Sequence, residues 1–498
     1  MSASIEKGAL ASPERSPAES AHEVDHVDFT PEEERKVVRK VDWALLPGLT
    51  FLYLLSFLDR SNIGNAKLFN MLDDIGLASY PASYNTSLAL YFLGYVLFEI
   101  PANIVLKRFN PKIWLPTLTI AWGVTATLQG LIRNEPGFYA ARFFMGVAEA
   151  GLFPGCIYVF SMFYRRNERH WRVAVFFGGA ALAGSAGGIL AWGIGHIHGG
   201  GLPNWAWIFV LEGIFTVLVG VTAYWWVPSY PREAKFLTER ERAILLARLR
   251  ADGDSADDEP FSWHGVVQAL KDPLVMAYGW LFHGFAFPLY SLSLFLPTII
   301  AQLGYASWKA QLLTIPVYSC AFFGIIFFAW ASHRINQRGS LIILNGAIAV
   351  VGYVVLMTTH TAGARYTGAF IAVLGIYCAN GQRLFLSPLA SSLVLTALLL
   401  SWPSENVSPQ TKRATASANQ IFVGDIGAIV GVLVYRPNLN ANFFRLPHGI
   451  AILYTAFGML VAAVLWLVMR RANQTGNSSR AKNSDERGDR APGYKFQL

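Results

Sequence analysis

The chain has 498 residues, 53% of them hydrophobic and only 14% charged, with a formal net charge of +8. Ordinary soluble domains are about 25% charged, so a string of soluble domains is excluded: too few charged side chains are available to cover their surfaces. What remains is a polytopic membrane protein, and the basic residues sit in short clusters between apolar runs, where membrane orientation accounts for them without a nucleic-acid partner.

Residues 1–40 are rich in Ser, Pro and Glu, which predicts a disordered tail. Its last stretch, TPEEERKVVRK, reads as a short amphipathic helix with Thr30 as N-cap and Pro31 at the first helical position. Apolar segments of spanning length, about 20 residues each, follow near 43–63, 84–106, 113–132, 137–163, 173–195 and 205–227. A polar segment, 228–273, contains a second amphipathic helix, capped at Thr238, and an acidic turn. Further spans are expected near 274–300, 308–332, 340–359, 366–400, 413–435 and 449–469, before a tail at 471–498. The expected fold is therefore all-α, with twelve transmembrane helices in two six-helix halves, 41–227 and 274–470.

Basic residues mark alternate loops: Arg35, Lys36, Arg39 and Lys40, then Lys107, Arg108 and Lys112, then Arg165, Arg166, Arg169 and Arg172. The pattern continues with Arg334 and Arg338, Lys412 and Arg413, and Arg470 and Arg471, which places both termini in the cytoplasm. One segment is too long. The apolar run from Gly368 to Ser401 contains Arg383 and Pro388, and a single helix of that length overshoots a hydrocarbon core of about 30 Å. Either the run holds a re-entrant piece, or residues 383–398 are surplus.

Ionisable groups inside spans are the sharpest functional signal, because burying a charge in hydrocarbon costs several kcal/mol. Helix 1 carries Asp59 and Arg60, followed by Asn62 and Asn65; helix 2 carries Tyr91 and Tyr95 one turn apart, then Glu99. In helix 4, Arg142 and Glu149 are seven residues apart, two turns along nearly one face. Such groups lock a bundle by ion pairs, or they work. An arginine in a cavity is a fork for a carboxylate, and a buried Glu beside it can exchange protons near neutral pH. The second reading is favoured for Arg60 and Glu149. In the second half, His283 and Tyr290 could face a cavity, and Asn419, Gln420 and Asp425 are polar at membrane depth; packing roles weigh equally for these.

Cys156, Cys320 and Cys378 lie in apolar runs and offer no disulfide framework or metal pattern. No phosphate-binding G-x-x-x-x-G-K-[ST], no dinucleotide fingerprint and no HExxH occurs, so neither ATP-driven transport, a cofactor nor a metal is expected, and an enzyme is not. The sequon Asn85-Thr86-Ser87 lies at an outer helix end.

The segments LDRSNIGNAKL, YFLGYVLFEIPANIVLKRF, ARFFMGVAEAGLFPG, WAWIFVLEGI and VPSYPREAKFLTERER together resemble the major facilitator superfamily. The resemblance is closer to the fungal allantoate permease family of its anion:cation symporters, and it covers roughly 40–470. It implies two halves rocking around a central site that moves a small organic anion together with protons. By motif, Arg60 and Arg142 match positions linked to anion binding or conformational coupling, Tyr95 a substrate contact, and Asp59 and Glu149 positions linked to protonation. Tyr91, Asn62, His283, Asn419 and Gln420 complete the candidate substrate-binding set. Asp425 stands where the family more often has Asn, which would add a proton-coupling carboxylate or alter selectivity. The expected function is proton-coupled import of a monocarboxylate, nicotinate-like first, by a monomer in the plasma membrane. Export of an acidic metabolite is the alternative, and a non-transporting nutrient receptor ranks below both.

Overall fold

The computed structural model describes residues 28–77, 80, 82–194, 197, 201–251, 263–335, 338–380, 399, 402–407, 410–436, 439, 442–475, 489 and 495–496. The amino-terminal tail to residue 27, most of the carboxy-terminal tail, the acidic turn and the stretch 383–398 expected to be re-entrant or surplus lie outside these residues. Among the described residues the regular elements are all helices.

Helix α1 (Pro31–Lys67) opens on a capping box: the Glu33 amide donates to the Thr30 hydroxyl, and the Glu33 carboxylate accepts from the Thr30 amide at 3.0 Å. The amphipathic stretch and the first span, expected as two pieces, form one helix. No residue between them interrupts the backbone ladder, and Pro47 is accommodated within it. After the short α2 (Met71–Asp74) come α3 (Ala82–Arg108) and α4 (Pro111–Gln129). The expected fourth span is divided into α5 (Glu135–Glu149) and α6 (Leu152–Phe163). Pro154 has no N–H to return to the Ala150 carbonyl, so the ladder lapses there. Helices α7 (Arg166–Ile194) and α8 (Asn204–Trp226) close the first half.

The central segment forms α9 (Glu239–Ala251) and α10 (Trp263–Leu270). The second half holds α11 (Pro273–Ala301), α12 (Ser307–Ile335), α13 (Arg338–Thr358), α14 (Ala362–Asn380), the short α15 (Trp402–Asn406), α16 (Gln410–Val434) and α17 (Arg445–Gln474). Among the described residues nine helical stretches, α5 and α6 counting as one, are long and apolar enough to cross a membrane. Helices α3, α4 and α12 occupy the other three expected segments.

Within the first half, α1 packs on α7 and α8, α4 on α8, and α3 on α5. Within the second, α11 packs on α16 and α17, and α13 on α14 and α17. The halves meet along three seams, α1 with α11, α3 with α16 and α7 with α12. Cross-half contacts gather towards the end where α1 finishes. There Asn85 donates to the Val432 carbonyl and, at 2.9 Å, to that of Tyr435; Ser185 meets Ser319 at 3.3 Å, and a Cβ on Gly64 would lie 2.5 Å from the Leu294 carbonyl oxygen. At the opposite end α9 is strapped to the first half. Arg248 bridges Glu34 (3.0 Å) and Glu168, and Lys40 pairs with Glu241 at 2.6 Å, while within the first half Arg172 of α7 pairs with Asp42 of α1 at 2.6 Å. Large apolar side chains such as Trp225, Leu453 and Phe144 are exposed on the outside, while charged residues such as Arg142 and Glu99 are fully buried, the polarity expected for a chain solvated by lipid.

Candidate functional site

Arg60 stands where α1, α3, α5 and α11 converge. Its Nη2 lies 2.5 Å from Glu149 Oε1, and its Nη1 donates to the Tyr290 hydroxyl at 3.3 Å, across the seam between the halves. Four rings surround the guanidinium, with centroids at 5.3 Å (Tyr91), 5.5 Å (Tyr95), 5.6 Å (Tyr290) and 5.7 Å (Phe57), within reach of cation–π attraction.

Glu149 is the last residue of α5, at the break before α6, and is held by three donors. Besides Arg60, the Ser56 hydroxyl donates to Oε1 and the Tyr91 hydroxyl to Oε2, the latter at 2.6 Å. Arg142, two turns earlier on the same face, is fully buried with its guanidinium 4.9 Å from the Tyr91 ring centroid. Its Nη1 faces the Met145 sulfur at 3.5 Å, a weak acceptor, and its Nε and Nη2 have no partner. This is a buried cation with unused donors. The close approach that brings α5 to α3 is made by Gly146, where any Cβ would meet the Tyr91 carbonyl oxygen.

Beside Arg60, a cavity of about 20 Å³ is lined by Tyr53, Tyr95, Phe153, Phe177, Phe282, Tyr290 and Ile421. That is room for about one water. Asp425 of α16 is buried, has one carboxylate oxygen without a partner, and lies within electrostatic reach of Arg60, Glu149 and Tyr290. Glu99 of α3 is likewise buried within reach of Asp425.

The structure brings Arg60, Arg142, Tyr91, Tyr95, Glu149 and Asp425 together, with Tyr290. The remaining sequence candidates lie elsewhere. Asp59, one residue before Arg60 and so about 100° around the helix, faces α4 and α8; it accepts from Trp122 Nε1 and the Thr216 hydroxyl, both at 3.1 Å. Asn62 turns the same way and donates to Glu212. His283 Nδ1 lies 2.8 Å from the Val423 carbonyl and its ring sits beside Trp280 and Tyr454, between α11, α16 and α17. Asn419 donates to the Val275 carbonyl at 3.4 Å and Gln420 to that of Leu399 at 3.0 Å, both backbone acceptors away from Arg60. Two buried polar residues were not singled out from sequence. Ser56 gave no signal, but Glu212 did: it is an ionisable residue in the middle of an apolar run.

Comparisons with known proteins agree with this architecture. Residues 49–432 match the sequence profile of the Major Facilitator Superfamily. The MFS-type transporter cnsO of Penicillium expansum is 33% identical over 461 residues, covering 90% of this chain and 85% of that protein. The major facilitator-type transporter hxnP of Emericella nidulans is 30% identical over 446 residues, covering 86% and 85%. Among solved structures, the xylose transporter XylE from E. coli, in a partially occluded inward-open conformation, aligns with a TM-score of 0.63 at 16% identity, covering 85% of this chain and 97% of that one. A bacterial homologue of the human lysosomal transporter Spinster, inward-facing and occupied, aligns with a TM-score of 0.61 at 16% identity, covering 89% and 98%.

Proposed function

We propose that this chain, which belongs to the Major Facilitator Superfamily and is a membrane transporter of that type, imports a small organic anion together with a proton. The observation that carries the reading is the pairing of Arg60 with Glu149 inside a ring of tyrosines, at the seam between the two halves. Glu149 occupies the guanidinium fork that a substrate carboxylate would need. A proton on Glu149 cancels its charge and releases Arg60 to the substrate, so anion and proton load together. Arg142, with two unpartnered nitrogens behind Tyr91, adds positive potential on the same side. Flat aromatic walls favour a planar, ring-bearing acid, and nicotinate is the first candidate.

Alternating access follows from the seams. Arg60 bonds Tyr290 across them, and the contacts of Asn85, Ser185 and Gly64 join the halves towards the end where α1 finishes. With twelve spans and cytoplasmic termini, that end is the outer one. The motif resemblance from LDRSNIGNAKL to VPSYPREAKFLTERER supports a place among the anion:cation symporters of the allantoate permease family, and with that place goes a monomer in the plasma membrane.

The test is uptake of labelled nicotinate by cells displaying the chain at acidic and at neutral external pH. Acid-stimulated uptake that disappears in Arg60→Ala is the expected result. Uptake that survives in Arg60→Ala, or its absence from the unaltered chain at the cell surface, overturns the assignment.

A further inference from the structure

On the other side of α1 from the substrate cavity lies a second polar centre that the scheme above does not use. Glu212, near the middle of α8, is buried against α1, with 6% of its surface exposed. One of its oxygens accepts from the Asn62 side chain; the other, Oε1, has no partner. Asn62 is itself 1% exposed, and its Oδ1 is also unpartnered. Helix α7 approaches that oxygen through Gly187, where even a Cβ would stand 3.6 Å away. Asp59 is the third member, one turn earlier on α1, bound to Trp122 of α4 and Thr216 of α8.

Among the described residues, the ionisable group acting on Glu212 is Asp59, another carboxylate; Asp59 in turn lies within electrostatic reach of Glu149 of α5, and the groups facing the centre from α4, α7 and α8 are Trp122, Gly187 and Thr216, none of them a cation. Two carboxylates buried in a membrane bundle without a cation cannot both stay charged at reasonable cost. They need a proton or a metal ion between them. The orphaned oxygens fit a proton: amide O and N are interchangeable by a flip, and a protonated Glu212 donates to Asn62 Oδ1 as readily as a charged one accepts from Nδ2.

We propose that Glu212, with Asn62 and Asp59, forms a proton-binding site on the α4/α8 side of α1, separate from the Arg60 cavity and coupled to it through that helix. Asp59 and Arg60 are consecutive, so a shift of α1 that follows Arg60 onto a substrate must also disturb the hydrogen bonds of Asp59 and Asn62. The role in transport rests on the symport reading above. The site itself does not.

Infrared difference spectra of the full chain in lipid, recorded between alkaline and mildly acidic pH, report carboxyl protonation with no substrate present. The expected result is a protonated-carboxyl band that is lost in Glu212→Gln, present in Arg60→Ala with a displaced pH midpoint, and unmoved when choline replaces sodium. Identical spectra for the unaltered chain and Glu212→Gln would mean that Glu212 never changes its proton and would overturn the site. A band abolished by sodium would assign the carboxylates to a metal ion instead. An unmoved midpoint in Arg60→Ala would overturn the coupling. Should Glu212→Gln fail to fold, Glu212→Asp is measured in its place, where a shifted band is expected and an unshifted one overturns the proposal. A chain that moves no nicotinate yet passes this test loses the substrate assignment and keeps the proton site.

Discussion

Arg142 rests its guanidinium 4.9 Å from the centre of the Tyr91 ring, while the hydroxyl of the same tyrosine donates to Glu149. Tyr91 therefore serves both ends of the α5 face, as a platform for the cation and as a donor to the carboxylate.

Tyr91→Phe separates these roles. The ring under Arg142 stays and the hydrogen bond to Glu149 goes. A hydrogen bond to a charged group contributes about 1.5–3 kcal/mol; without it a proton binds Glu149 more readily, so on the proposed scheme acid-stimulated uptake should set in at an external pH higher by about one unit or more. Substrate affinity, which the proposed function rests on Arg60, should move far less. Uptake kinetics over a range of external pH measure both.

Arg60→Lys keeps the charge and loses the fork and the flat face that four rings surround. Folded protein with uptake reduced at least about tenfold is expected, since bidentate recognition is gone. Arg60→Ala goes further, leaving Glu149 buried without its cation, at a cost of about 3–5 kcal/mol. Thermal unfolding of the purified variants should rank them in that order.

Gly146→Ala tests the packing under the site. A methyl there meets the Tyr91 carbonyl, a backbone atom fixed in α3 that cannot swing aside. Overpacking of this kind costs about 1–3 kcal/mol. A lower unfolding temperature should accompany impaired uptake, because α3 and α5 can no longer hold Tyr91 against Glu149.

At the other end of the protein, the Lys40 ammonium beside Glu241, with the Thr238 amide, holds that carboxylate below its ordinary value of 4.5. A carboxyl depressed by folding stabilises the docked form above its ordinary value and loses that contribution as pH falls through the folded one. Docking of α9 on α1 should thus be constant at neutral pH and loosen only in acid, below about pH 4. Hydrogen exchange of the α9 amides across that range gives the answer; loosening already at neutral pH would contradict it.

The helices were legible because apolar runs of spanning length have few alternative fates, and the Thr30 and Thr238 caps because their hydroxyls are followed three residues on by Glu33 and Glu241. The break at Ala150 was not read, although Pro154 supplies its cause. Within the site, the spacing of Arg142 and Glu149 placed them on one face, and they are there. Asp59 and Asn62 show what spacing leaves open. On a helix enclosed on all sides by partners, every face is buried, and the sequence does not say which neighbour lies where. Asn419, Gln420 and His283 were polar at membrane depth for a local reason, a backbone carbonyl on an adjacent helix. Glu212, like Asp59, is an ionisable residue in an apolar run, but it stands alone in its span with no second charge beside it to mark a pair.

The side chain of Asn85 is the acceptor atom of a glycosylation sequon and also the tie between α3 and the end of α16. Its amide nitrogen, the atom to which a sugar would be joined, is spent on the carbonyls of Val432 and Tyr435. With this end shut, a glycosyltransferase has nothing to reach. The partners are main-chain oxygens, so no side-chain replacement at 432 or 435 removes them, and the tie is vulnerable from the Asn85 side alone. A glycan installed before the two halves had come together would hold them apart for good.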